Sequence, residues 1–254
     1  MNLKIKAILA DYDGTLAPIN VSRNESRPNE QLFNILAQLS KETIFGIISM
    51  KDYWFLKQRI PFSRIYGCVG GFEIIIDSKP FVRKTILNKF NTVKNFYKYI
   101  LELEEKLQCI EIETKRLMNK MIIGLSIDWR QCKHTPYLVS QLKTLAQNMN
   151  LHIINYNEPF IDIIPDEPDK GKAIKFIKKF LGIEGPILYL GDSPLDNTAF
   201  KVSDISIGVI SNNDPEKLKA KFFVKFDHVT NLFTKLIESD MIFDEKRLPV
   251  FKLV

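Results

Sequence analysis

Two aspartates two residues apart, Asp11 and Asp13, lie in Asp11-Tyr12-Asp13-Gly14-Thr15-Leu16, directly after the apolar run KIKAILA. An apolar run ending in acids reads as a buried strand that delivers them to a sheet edge, where α/β folds hold ligands. Two carboxylates at this spacing face the same way if the strand continues. Gly14 permits the turn that ends it and lets backbone N–H groups approach an anion. Such a concentration of negative charge needs a cation or a proton, and oxygen ligands suit Mg²⁺. A solvated turn or a calcium loop fits the same residues. A second cluster, Gly191-Asp192-Ser193-Pro194-Leu195-Asp196, follows the apolar run ILYL. If the two strands are parallel, they end at one edge and bring Asp192 toward Asp11. Asp196 also reads as a helix N-cap. Ser49 ends TIFGIIS, where its hydroxyl and N–H can hold a phosphoryl oxygen or cap the next helix. Lys170, in Asp169-Lys170-Gly171-Lys172, is placed to offset carboxylate and phosphate charge, or is one more surface lysine.

The elements that must position these groups follow from periodicity. KIKAILA, TIFGIIS and RIYGCV read as short buried strands, separated by the helical stretches NEQLFNILAQLS and KDYWFLKQRI. FEIII and PFVRK flank Asp77-Ser78-Lys79 as a hairpin. This βαβαβ order predicts a parallel sheet. After residue 85 the order becomes αββαββ: a helix over 91–107, strands near 108–113 and 119–130, the helix TPYLVSQLKTLAQNM, then LHIINY and PFIDII joined across Asn157-Glu158. That is an antiparallel sheet with helices on one face. GKAIKFIKKFLG, PILYL, ISIGVI and FFVKF then resume the α/β pattern. The predicted fold is therefore an α/β, Rossmann-like core over 1–85 and 167–254, interrupted by an α+β insert over 86–166. The tail 240–254 shows no readable role.

Composition narrows the classes. The 254 residues are 45% hydrophobic and 26% charged, with a net charge of +6. Disorder and membrane spanning are excluded by this balance and by the short apolar runs. The N-terminus lacks the pattern of a secretion signal. Lysines are spread without a patch or stripe, which argues against nucleic acid and suits a small anionic substrate. Cys68, Cys109 and Cys132 are far apart and odd in number, which predicts reduced thiols in a cytoplasmic protein. His134, His152 and His228 lack metal-ligand spacing.

Taken in order, the DxD, the Ser, the Lys and the GDxxxD resemble the haloacid-dehalogenase-like phosphatases, and the αββαββ insert resembles that family's larger cap. More narrowly, DYDGTLAPI at 11–19, DKGKAI at 169–174 and GDSPLDNTAF at 191–200 are similar to segments of trehalose-6-phosphate phosphatases. The resemblance implies that Asp11 is the nucleophile and Asp13 the general acid and base. It implies Mg²⁺ on Asp11, on the Asp13 main-chain carbonyl and on Asp192. Ser49 and Lys170 would hold the phosphoryl group, and Asp196 would orient Lys170. The departures are Ser49-Met50-Lys51 for SGR, Gly70-Gly71-Phe72-Glu73 for HGAE, Asp128-Trp129-Arg130 for HYR, Asp162-Ile163-Ile164-Pro165 for ExRP, and Ser193 for the second Asp of the GDD segment; they change the sugar-reading residues. Lys51, Asp128, Arg130 and Asp162 are the candidates to read the substrate. The expected protein is a monomeric phosphatase for a small phosphorylated sugar, trehalose 6-phosphate first, with no nucleic-acid or membrane partner. Another sugar phosphate, a glycosyl phosphoglycerate, a phosphomutase reaction and an inactive sensor are the rival readings.

Overall fold

The computed structural model describes residues 3–19, 21–103, 107–156, 159–211 and 214–253. The chain divides into two units, Met1–Pro80 with Asp169–Val254, and Phe81–Pro168.

In the first unit, β1 (Leu3–Lys4), β2 (Ala7–Ala10), α1 (Glu30–Glu42), β3 (Ile44–Ile48), α2 (Tyr53–Arg59), β4 (Ile65–Cys68) and β5 (Glu73–Ile76) follow one another. The strand β6 (Lys79–Val82) closes the first segment of the sheet. After the insert come α6 (Lys170–Phe180), β11 (Ile187–Gly191), α7 (Asn197–Val202), β12 (Ile205–Ile210), β13 (Phe222–Lys225), α8 (Val229–Glu238) and β14 (Ile242–Phe243). Eight strands form one sheet in the order β13-β12-β11-β2-β3-β4-β5-β6. The run from β13 to β4 is parallel and β5 reverses direction. Strands β2, β4 and β11 are buried at every position, which is why they read as continuous apolar runs rather than alternating ones. At the β5–β6 hairpin Asp77 and Ser78 both take positive φ, 48° and 66°, the geometry a two-residue turn needs to match strand twist.

The insert holds α3 (Lys84–Leu87), α4 (Phe90–Leu101), β7 (Glu111–Arg116), β8 (Ile122–Asp128), α5 (Tyr137–Asn148), β9 (His152–Asn155) and β10 (Phe160–Ile164). Its sheet runs β7-β8-β10-β9 and is antiparallel throughout. Leu125, Ile127, Ile161 and Ile163 pack with Val93, Phe96, Ile100, Val139, Leu142 and Ala146 of α4 and α5 in one core. The alternate residues Gly124, Ser126 and Asp162 therefore face away from those helices. Asn157 and Glu158, read as the β9–β10 turn, lie outside the described residues.

Two expectations need correction. Cys109 and Cys132 are not separate thiols but a disulfide, with Cα atoms 5.2 Å apart. They flank the open end of the β7–β8 pair, where antiparallel pairing brings residues 23 apart in sequence together. Cys68 alone is free, and it is buried. The inference of a reducing compartment from unpaired thiols therefore falls. The tail also has a place: β14 pairs with β1, and Phe251 exchanges backbone hydrogen bonds with Phe223 on the edge strand β13. It occupies backbone groups that an edge would otherwise expose.

Candidate active site

Adjacent parallel strands assemble the acids. β2 and β11 pair in register from Ala7–Ile187 to Ala10–Leu190, and Asp11 N–H donates to the Leu190 carbonyl at 2.9 Å. Asp11 and Asp192 thus emerge side by side at the carboxyl edge. β3 ends on the same edge with Ser49, whose N–H donates to the Gly67 carbonyl at 2.8 Å. At Gly14 the backbone has φ 74°, and a Cβ there would stand 2.1 Å from Asp192 Oδ2. Only glycine lets this turn lie against the second carboxylate.

Lys170 opens α6 and is fully buried. Its Nζ lies 2.6 Å from Asp11 Oδ2 and 2.7 Å from Asp196 Oδ1. Asp196 is the hub behind it. Its Oδ1 also accepts from the Tyr189 hydroxyl at 2.6 Å, and its Oδ2 accepts from the N–H groups of Asp192 and Ser193 and from the Ser193 hydroxyl. Its carboxylate therefore orients Lys170 and the Asp192 turn; with Ser193 it closes a capping box over the short turn Pro194–Asp196, but it makes no side-chain cap to α7. Ser49 is not the cap of α2 either: Asp52 is, accepting from Phe55 N–H at 2.9 Å. A left-handed turn links the Ser49 and Lys170 segments. Val69, Gly70 and Gly71 have φ 48°, 66° and 91°. Gly70 N–H donates to the Ser49 carbonyl at 2.8 Å, and the Gly70 carbonyl accepts from Asp169 N–H at 3.1 Å.

Charge is crowded here. Burial pushes the Asp11 carboxyl up to about 6, against the pull of Lys170. Asp192 is pushed well above the carboxylate range by burial, then by Asp11 and Asp196. For Lys170, burial alone would favour the neutral amine, but Asp11 and Asp196 outweigh it and hold the ammonium more firmly. Carboxylate oxygens of Asp11, Asp192 and Asp196 all lie within 4.8 Å of one another. A hard cation fits that donor set. Asp196 is the more heavily engaged, its oxygens accepting from Lys170, Tyr189, Asp192 and Ser193, whereas Asp11 accepts from Lys170 and from Tyr12 N–H.

Asp13 has its own partners, with Oδ1 2.9 Å from Ser26 Oγ and Oδ2 3.5 Å from Lys51 Nζ. In the insert, Arg130 and Asp128 pair with each other at 2.6 Å. Asp162 is buried. It is paired with Lys115 at 3.2 Å and hydrogen-bonded to Ser126 and to the Tyr156 hydroxyl. Lys115, Tyr156, Thr15 (whose hydroxyl holds Asp192 at 3.2 Å) and Ser26 escaped the sequence reading. Thr15 lies within the Asp11–Leu16 motif without having been singled out; Lys115, Tyr156 and Ser26 sit outside any motif and are brought in by cross-strand pairing or a loop.

A family model described as Trehalose-phosphatase matches residues 9–224. The chain belongs to the trehalose-phosphatase family. It therefore sits among phosphatases of the haloacid-dehalogenase type. A probable trehalose-phosphate phosphatase E of Arabidopsis thaliana is 20% identical over 250 residues, 90% of this chain and 69% of that protein. A phosphoglycolate phosphatase of Sulfurisphaera tokodaii is 38% identical over 74 residues, 29% of this chain and about a third of that enzyme (32%). A solved trehalose-6-phosphate phosphatase related protein superposes with a TM-score of 0.73 at 19% identity, over 92% of this chain and 97% of that one. The C-terminal domain of the C. albicans trehalose-6-phosphate phosphatase gives 0.69 at 18%, covering 93% of each chain. A haloacid dehalogenase-like hydrolase of Bacteroides thetaiotaomicron gives 0.62 at 13%, over 92% of this chain and 100% of that one, and shares the fold.

Proposed function

We propose that the protein hydrolyses a small phosphorylated sugar, trehalose 6-phosphate first among candidates, with Mg²⁺ and through an aspartyl phosphate. One observation carries this reading: Asp11, at the end of β2, pairs with the buried Lys170 ammonium and has a carboxylate oxygen within 4.8 Å of one of Asp192. The bound cation would rest on Asp11, Asp192 and the Asp13 carbonyl, and would supply charge neutralisation for an approaching phosphoryl group. Asp11 attacks phosphorus and the sugar–oxygen bond to phosphorus breaks. Asp13 gives a proton to the departing oxygen. Water then attacks the aspartyl phosphate, Asp13 takes its proton, and Asp11 is released with inorganic phosphate. Lys170 and Ser49 hold phosphoryl oxygens through both steps.

The test is phosphate release from a set of sugar phosphates with and without Mg²⁺. The expected result is release that stops with EDTA, returns with Mg²⁺ and is lost in Asp11→Asn. Near-normal release by that variant would end the mechanism. Transfer of phosphate to a second sugar hydroxyl, without free phosphate, would mark a phosphomutase instead. A small phosphorylated acid is a second reading, favoured by the local match to a phosphoglycolate phosphatase and by Lys51 beside Asp13.

Within this reading the insert residues Asp128, Arg130 and Asp162 help select the sugar. Asp162 acts through its hold on Lys115, Ser126 and Tyr156, since it is itself buried. Cytoplasmic location and a monomeric state belong to the same proposal. Among the described residues no helix is long and apolar enough to cross a membrane.

A further inference from the structure

We propose that Ser26 is the positioning residue of the proton-transferring carboxyl, Asp13, and that its hydroxyl fixes the plane of that carboxyl. This rests on Asp13 acting as the general acid.

Ser26 lies in the loop between β2 and α1 and is 3% exposed. Its backbone is held on both sides. The N–H donates to the Ser22 carbonyl at 3.0 Å. The carbonyl accepts from the Tyr12 hydroxyl at 2.8 Å and from Arg59 Nε at 3.1 Å. Arg59 also donates to the Arg23 carbonyl at 2.8 Å and lies 3.7 Å above the Phe55 ring, with Tyr12 edge-on to that ring at 5.5 Å. The hydroxyl is directed at Asp13 Oδ1, 2.9 Å away.

A carboxyl rotates broadly about its last bond, so packing near its Cβ does not fix its plane. A hydroxyl donor on an immobile backbone does. Held at Oδ1 by Ser26, the carboxyl keeps a fixed plane, with Oδ2 on the Lys51 side. So oriented, Asp13 delivers its proton as the sugar–oxygen bond to phosphorus breaks and the bond from Asp11 to phosphorus forms. Ser26 exchanges no proton in either step. Its effect is confined to leaving groups that need protonation: a sugar alkoxide needs it, whereas a nitrophenolate departs as the anion.

The experiment compares kcat/KM for trehalose 6-phosphate and p-nitrophenyl phosphate, both with Mg²⁺, in the native protein, Ser26→Ala, Ser26→Thr and Asp13→Asn. This ratio reports the steps through aspartyl-phosphate formation and is blind to its hydrolysis. Ser26→Ala is expected to lose about 10-fold on the sugar phosphate, a fraction of the 10²–10⁴ that a general acid supplies, and under about threefold on the aryl phosphate. Ser26→Thr, which keeps the hydroxyl, is expected to recover most of the loss. Equal losses on the two substrates would show a structural role and overturn the proposal, as would native behaviour of Ser26→Ala while Asp13→Asn is inactive on the sugar phosphate. Undiminished sugar-phosphate hydrolysis by Asp13→Asn would remove the general-acid reading itself, and the role of Ser26 with it.

Discussion

The backbone at Gly14 is as much a part of the site as the carboxylates. Its φ of 74° lies in the left-handed region, where a side chain costs about 1–3 kcal/mol. The larger penalty is contact, because a Cβ would collide with Asp192 Oδ2 at 2.1 Å. Gly14→Ala must push Asp192 away from Asp11. It is expected to weaken Mg²⁺ binding and reduce kcat/KM more than about 100-fold while leaving secondary structure intact, since a small misplacement in a catalytic site has effects of that size. Calorimetric Mg²⁺ titration and phosphate release check this. An unchanged Mg²⁺ affinity would show that the turn does not set the Asp192 position. The same residue illustrates what local sequence can convey. A glycine after two acids marks a turn, but which carboxylate it abuts is decided by a strand far along the chain.

Elements carry the next layer of specification. The parallel strands announced themselves because burial on both faces demands apolar residues at every position, as in AILA and ILYLG. The insert strands announced themselves by alternation, with Leu125 and Ile127 inward and Ser126 outward. The disulfide did not, because its spacing carries meaning only once β7 and β8 pair. It cross-links Cys109 and Cys132 around a loop of 23 residues, for which chain-entropy arguments give about 3 kcal/mol of stabilisation. Reduction should therefore loosen the insert selectively. Hydrogen exchange under a reductant is expected to speed in β7 and β8 and to stay unchanged in β2 and β11. Unchanged protection throughout the insert would show that the cross-link adds nothing to its packing.

For the whole molecule, the buried charge balance links metal, proton and stability. Unfolded aspartate titrates near about 3.9, whereas burial lifts Asp11 to about 6 and Asp192 in the same direction. The metal-free fold therefore binds extra protons between these values. Protonation stabilises it most below about pH 4, and that contribution fades as pH rises through about 6. A cation competes with those protons for the same oxygens. Saturating Mg²⁺ is thus expected to raise the melting temperature more at pH 7.5 than at pH 5, as read by differential scanning fluorimetry. Equal rises at the two values would mean that the cation binds elsewhere.

Much of the candidate site's membership was legible before folding, because these residues lie at strand ends and helix starts. Asp11, Ser49, Lys170, Asp192 and Asp196 each follow or open a periodic segment, so composition and spacing expose them. The αββαββ insert was legible for the same reason. Tertiary structure alone decided what binds to what. It set Lys170 between Asp11 and Asp196, held Asp162 in a buried pair with Lys115, turned the tail into cover for β13, and joined two cysteines that looked independent. It also brought Ser26 to Asp13 from a loop without any periodic signature. The physical reason is range: periodicity and turn chemistry act over a few residues, whereas ion pairs, hydrogen bonds and disulfides depend on distances that only the packed sheet establishes.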